Sequence, residues 1–232
     1  MFWIILIAAV ALYVFYKKTH YNDGPWLKDY LKKHKGITED QKAVLRYFNN
    51  EPACLSKKPI TDDEYDAMVQ KVINSENWKQ KALDKIGLDE DQLKEIEPVH
   101  FEGFVYSNDT FSKKSDQSDL WCSSRYQISW LFFSANQLYL YQYTFNMDGF
   151  DKNEQTMEYF YKDVTNFTQS SDTEETNVWD RDAKKFVKEK ITSNRFMVVV
   201  PGDKFYCSLK QSGDTERAIQ GMKALLREKK NV

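Results

Sequence analysis

The spacing of apolar and polar positions changes twice along the chain. Residues 2–16 read "FWIILIAAVALYVFY", a run with no charge, glycine or proline. As a helix, residues 1–16 would span about 24 Å, against a hydrocarbon core of about 30 Å. Trp3, Tyr13 and Tyr16 suit the two interfaces, and Lys17 and Lys18 can snorkel at the far end. A cleaved signal peptide calls for a basic start and a small-x-small site beyond the run. The one such triplet, Ala9-Val10-Ala11, lies inside it. Strands rarely run unbroken for this length, which disfavours a core strand. The expectation is an uncleaved membrane anchor over residues 1–18.

From residue 25 to about 97 the pattern takes a helical period. Pro25 suits a first turn, and "WLKDYLKKHKG" ends at Gly36. Thr38 with Gln41, and Thr61 with Glu64, form capping-box signatures. Behind the second, Tyr65, Met68, Val69, Val72 and Ile73 share one face. Ser75 is placed to cap a further helix carrying Trp78, Ala82, Leu83 and Ile86, with Gly87 as its stop. Asp89 with Gln92 predicts a short last helix before Pro98. Four or five short helices with one apolar face each make a small helical domain over 25–97.

From Val99 the period falls to two. "HFEGFVY" reads as a strand, and "RYQISWLFF" and "QLYLYQYTF" form a hairpin around "SAN". In the second arm Tyr139, Tyr141, Tyr143 and Phe145 fill one face, which predicts a core face. "NMDGFDKNEQ" reads as a turn, "TMEYFYKDVTNFTQ" as strand, and "NVWDRDAKKFVKEKI" as another strand pair. "RFMVVV", "PGD" and "KFYCSL" give a last hairpin. "SGDTERAIQGMKALLREKK" then reads as a helix, capped by Ser212 or Asp214, with Ala218, Met222 and Leu225 on one face. The predicted class is α+β, with a β-domain over 98–232.

Composition sharpens this picture little. Net charge is −2 over 232 residues, and the signs are mixed. Acids in "TEDQK", "TDDEYD" and "LDEDQLKEIE" stand where a helix-turn-helix would meet phosphates, so no nucleic-acid partner is expected. Cys54, Cys122 and Cys207 are odd in number and widely spaced, which fits buried thiols in a reducing compartment. His20, His34 and His100 show no metal-ligand spacing. "DGFDKNE", from Asp148 to Glu154, gathers oxygens without the spacing of a calcium loop and reads as a solvated turn. The tripeptides Asn108-Asp-Thr110 and Asn166-Phe-Thr168 are glycosylation sequons, relevant only in a secretory lumen. No nucleotide-loop or nucleophile-elbow motif occurs, and no cofactor is expected.

Seven or eight antiparallel strands closed by one helix resemble the pleckstrin-homology-like superfold, especially bacterial PH-like and GRAM-like domains. The resemblance is carried by "WLFFSANQLYLYQYTF", "MEYFYKDVTNFTQ", "RFMVVVPGDKFYCSL" and the final helix. It implies an antiparallel PH-like barrel or sandwich capped by the C-terminal helix, in a bacterial protein. Lys113, Lys114 and Arg125 thinly echo the basic cluster of lipid-binding members, whose tryptophan in the last helix is absent here.

Lys17, Lys18, Lys28, Lys32 and Lys33 follow the apolar run and no basic residue precedes it. By the positive-inside tendency this predicts a single-pass protein of the cell membrane with its domains in the cytoplasm. The expected function is non-catalytic binding or scaffolding toward a protein partner at that membrane face. One alternative is an enzyme with its site between the helical and β-domains. The other is peripheral binding of anionic lipid through Lys113, Lys114 and Arg125.

Overall fold

The computed structural model describes residues 10, 13, 23–49, 59–89, 91, 93, 96–210 and 213–230. The chain is α+β. From residue 23 on, four helices come first among the described residues: α1 (Pro25–Lys33), α2 (Glu39–Asn49), α3 (Asp62–Ile73) and α4 (Trp78–Ile86). Pro25 occupies the first turn of α1. The Thr38 N–H donates to Gln41 Oε1 at 2.9 Å and the Gln41 N–H donates to Thr38 Oγ1 at 3.2 Å, ahead of α2. Thr61 and Glu64 close the same box on α3. Asn77, not Ser75, caps α4: its side chain accepts from the Gln80 N–H, while the Ser75 hydroxyl donates to the Val72 carbonyl. Gly87 ends α4 at a φ of 78°, a conformation that costs glycine no Cβ clash. The helix expected from Asp89 and the cap at Ser212 fall wholly or partly outside the described residues.

Nine strands follow: β1 (Val99–Val105), β2 (Phe111–Lys114), β3 (Trp121–Ser123), β4 (Arg125–Phe133), β5 (Gln137–Asn146), β6 (Lys152–Phe160), β7 (Asn166–Asp180), β8 (Lys185–Val200) and β9 (Asp203–Ser208). Helix α5 (Gly213–Lys230) closes the described chain. The strands make two sheets, ordered β1-β4-β5-β6 and β3-β2-β7-β8-β9, not a closed barrel. The second sheet is mixed, because β2 runs parallel to β7. The segments read as separate pieces in "TNFTQ" and "NVWD", and in "KFVKEKI" and "RFMVVV", are two continuous strands paired from Asn166↔Val199 to Asp180↔Lys185. They form a long ribbon whose distal half lies beyond β9.

The first sheet is buried on both faces. Tyr139, Tyr141 and Phe145 pack with Tyr47, Tyr65, Val69, Trp78 and Leu83 of the helices. Leu138 and Leu140 point the other way, into a cluster with Phe167, Phe196, Val198, Phe205, Ile219, Met222 and Leu225. The helical segment and the first sheet thus share one apolar cluster, and α5 and the second sheet complete the other.

Two side-chain bonds and one backbone bond bridge the sheets where no ladder does. The Ser208 N–H donates to Gln127 Oε1 at 2.8 Å, and Gln142 Nε2 donates to the Tyr206 carbonyl at 2.8 Å. The Lys210 N–H donates to the Glu102 carbonyl at 2.7 Å. The bond to Ser208 gives the N–H of a buried residue its partner.

Of residues 1–18, only Val10 and Tyr13 are described, both helical and exposed. Trp3, Tyr16, Lys17 and Lys18 lie outside the described residues, as does Cys54. Among the described residues no helix is long and apolar enough to cross a membrane.

Candidate functional site

Two groups of polar side chains lie on the seam where the helices meet the first sheet and the β2–β3 hairpin. At one corner, the N-terminus of α3 delivers Asp62 to that hairpin. Its carboxylate accepts from the Tyr47 hydroxyl at 2.8 Å, the Ser115 hydroxyl at 2.6 Å and the Asp116 N–H at 2.8 Å. Lys113 Nζ stands 3.5 Å from the same carboxylate, 2.6 Å from Asp116 and over the Tyr47 ring. Burial disfavours the charge on Asp62. The hydrogen bonds from Ser115, Tyr47 and Asp116 and the charge of Lys113 outweigh it, holding the carboxyl below its usual range.

Two further groups flank this corner. The Tyr65 hydroxyl donates to the Ser123 carbonyl at 2.6 Å. The Cys122 thiol is pushed up to about 11, mainly by burial. Burial likewise raises Tyr47 and Tyr65. At neutral pH thiol and phenols therefore stay protonated. A thiol in that state is a weak nucleophile. The donors around Asp62 all end on the chain's own acceptor, so this corner fastens helix to hairpin.

The second corner is the β5–β6 turn. Gln41 Nε2 donates to the Gly149 carbonyl at 2.6 Å, tying α2 to the turn. Asp148 is buried within the turn, and its Oδ1 has no hydrogen-bond partner. Burial pushes its carboxyl up to about 6, against the opposing pull of the Ser124 hydroxyl and the Arg125 charge. Arg125 itself is held by Asp109, with Nη2–Oδ2 at 2.7 Å and Nη1–Oδ1 at 3.2 Å, and donates from Nε to Asn146. The hydrogen bonds from Arg125 and Ser107 bring Asp109 down to about 2.

The residues singled out for anionic lipid thus stand apart in their surroundings. Lys113 is enclosed by Asp62 and Asp116, Lys114 pairs with Asp119 at 2.7 Å, and Arg125 is chelated by Asp109. His34 stacks on Tyr30, and His100 stacks on Trp130 beside Glu102, with burial lowering its pKa. The oxygens of the Asp148–Glu154 stretch do not converge. Asp148 turns inward, whereas Glu154 accepts from Tyr141 at 2.7 Å and faces Lys81 and Lys85. Among the described residues no three His, Cys, Asp or Glu side chains group to hold a metal ion.

Reading the sequence did not single out Asp62, and it placed Asp148 in a solvated turn, whereas the structure buries that side chain. Asp62 follows the Thr61 cap and looks like any first-turn acid. Its partners Ser115 and Asp116 lie more than fifty residues away. Compared with protein-family models, with curated proteins and with solved structures, the chain shows no match in any of the three.

Proposed function

We propose that the chain is a membrane-anchored, non-catalytic binding module that holds a PH-like β-domain at the cytoplasmic membrane face for a protein partner. The strand order supports the PH-like part of this reading. Strands β1, β4, β5 and β6 form a four-stranded meander, β7–β9 a three-stranded one, and α5 follows. The β2–β3 hairpin enters as an insertion between the first two strands.

The observation that carries the binding role is the way the chain uses its own surfaces. Both faces of the first sheet are buried, and the seam charges are paired internally. Among the described residues, β9 covers only residues 195–200 of β8, and Asn194 accepts from Leu209. Residues 185–193 of β8 pair on one side alone, with β7. Such an edge is where an extended segment of another protein adds a strand.

The test is made in whole cells and membranes. A reporter active only in the cytoplasm is fused at Val232, and membranes are washed at alkaline pH. Retention in the membrane with an active reporter supports the reading. Release by alkali, or an exported C-terminus, overturns it. A photo-crosslinker placed at Glu189 on the β8 edge then reports whether one protein occupies that strand.

A further inference from the structure

We propose that α1 and the tip of the β7–β8 ribbon form one basic surface that rests on anionic lipid headgroups. The inference builds on the anchor reading above and assigns the face that the folded body turns to the bilayer.

Packing fixes the two parts together. Trp26 of α1 meets Phe186 with ring centroids 4.8 Å apart, Phe111 at 5.6 Å and Trp179 at 6.2 Å. Trp179 and Phe186 are cross-strand partners, one pair from the end of the ribbon. Tyr30, one turn further along α1, lies 6.1 Å from Phe111. The helix therefore sits on the ribbon tip through a cluster of aromatic rings, and the two move as one piece.

Chain length limits where that piece can be. Trp26 comes eight residues after Lys18, the end of the expected anchor. Eight extended residues reach at most about 28 Å. The ribbon tip, in contact with Trp26, is thereby tethered close to the headgroup layer however the linker runs.

Charge selects the contact. Residues 25–36 carry four lysines and one aspartate, and residues 180–188 carry one arginine, three lysines and two aspartates. Together they hold a net charge of about +5 in a chain whose total is −2, enough to orient the body toward an anionic leaflet. Lys28, Lys33, Lys35, Arg181, Lys184 and Lys185 are exposed. The aromatic rings of this region do not supply an apolar wedge, because they are turned onto one another. The contact is electrostatic and falls with salt.

The experiment uses the full chain in lipid vesicles. A donor dye is placed on Ala183→Cys, in a Cys54→Ser background, since Cys122 and Cys207 are buried. An acceptor dye is carried by the headgroups. Vesicles are phosphatidylcholine alone or mixed with phosphatidylglycerol, and flotation is read in parallel. The expected result is flotation with both vesicle types. Energy transfer should be higher with phosphatidylglycerol than with phosphatidylcholine, and that excess should fall by about half or more in high salt and in the Lys184→Glu, Lys185→Glu double variant. Flotation with both, but transfer indifferent to lipid charge, salt and the variant, overturns the surface while leaving the anchor standing. Failure to float with phosphatidylcholine overturns the anchor. In that case salt-sensitive flotation on phosphatidylglycerol, lost in the double variant, still supports the surface, and its absence overturns both.

Discussion

The backbone of Leu209 crosses Gly103 so closely that a Cβ at residue 103 would lie 3.1 Å from the Leu209 carbonyl carbon and 3.2 Å from the Lys210 nitrogen. Neither atom is free to give way. The Leu209 N–H is bonded to Asn194, and the Lys210 N–H to Glu102, the residue before the glycine. Gly103→Ala must therefore push the two sheets apart at this crossing. The expected loss is about 1–3 kcal/mol, the usual cost of overpacking, seen as a lower urea midpoint. An unchanged midpoint would show that the crossing yields freely.

Asp62 joins α3 to the β2–β3 hairpin through three donors. Asp62→Ala leaves Tyr47, Ser115 and the Asp116 N–H without their acceptor, and should cost about 2–4 kcal/mol, given about 1–3 for each buried orphan and some relief by water. The pH dependence has a fixed sign. The folded carboxyl titrates below its ordinary value of 3.8, so its contribution is present above that pH and is lost as pH falls through the folded value. Acid unfolding of the wild type and of Asp62→Asn, compared by circular dichroism, should show the smaller pH sensitivity in the variant.

Asp148 behaves in the opposite sense. Its carboxyl is raised from 3.8 to about 6 by burial, among Ser124, Arg125, Asp151 and the Tyr30 ring. Its contribution to stability is fullest below 3.8, declines as pH rises toward about 6, and remains a constant penalty above that. The penalty amounts to about 3 kcal/mol at most. Asp148→Asn should raise the urea midpoint at neutral pH and leave it unchanged in acid. Parallel pH curves for the two proteins would refute this.

Trp78 holds α4 to the first sheet. It stacks on Tyr143 at 4.4 Å, donates to the Ile73 carbonyl at 2.6 Å and lies under Lys81. Trp78→Ala should cost about 3–5 kcal/mol. Lys81→Met keeps the stem over the rings and should cost far less, about 1 kcal/mol or below, because the lost pair with Glu154 is partly exposed. Equal losses in the two variants would show that charge, not stacking, seats the helix.

Trp26 ties α1 to the ribbon. In Trp26→Ala, trypsin should cleave after Lys32 and Lys33 several-fold faster, with the main unfolding transition little changed. Cleavage at the wild-type rate would mean that the Asp23–Arg46 pair, at 2.9 Å, is enough to hold α1 down.

The sequence by itself determined what short-range physics controls. Pro25 sets a helix start through its fixed φ, and the Thr38 and Thr61 boxes and Gly87 set helix ends through bonds spanning three or four residues. Period-two alternation placed the β4–β5 hairpin and the aromatic face of β5. Tertiary structure decided the rest, because the partners are far apart along the chain. That the aliphatic face of β5 would be buried as well as the aromatic one depended on the helices covering the aromatic face and the second sheet covering the other. The fusion of four expected strands into one ribbon depended on β2 and α1 supporting its distal half. The roles of Asp62 and Asp148 depended on Ser115, Tyr47 and Arg125 being brought to them, and no local pattern encodes a neighbour that only folding supplies.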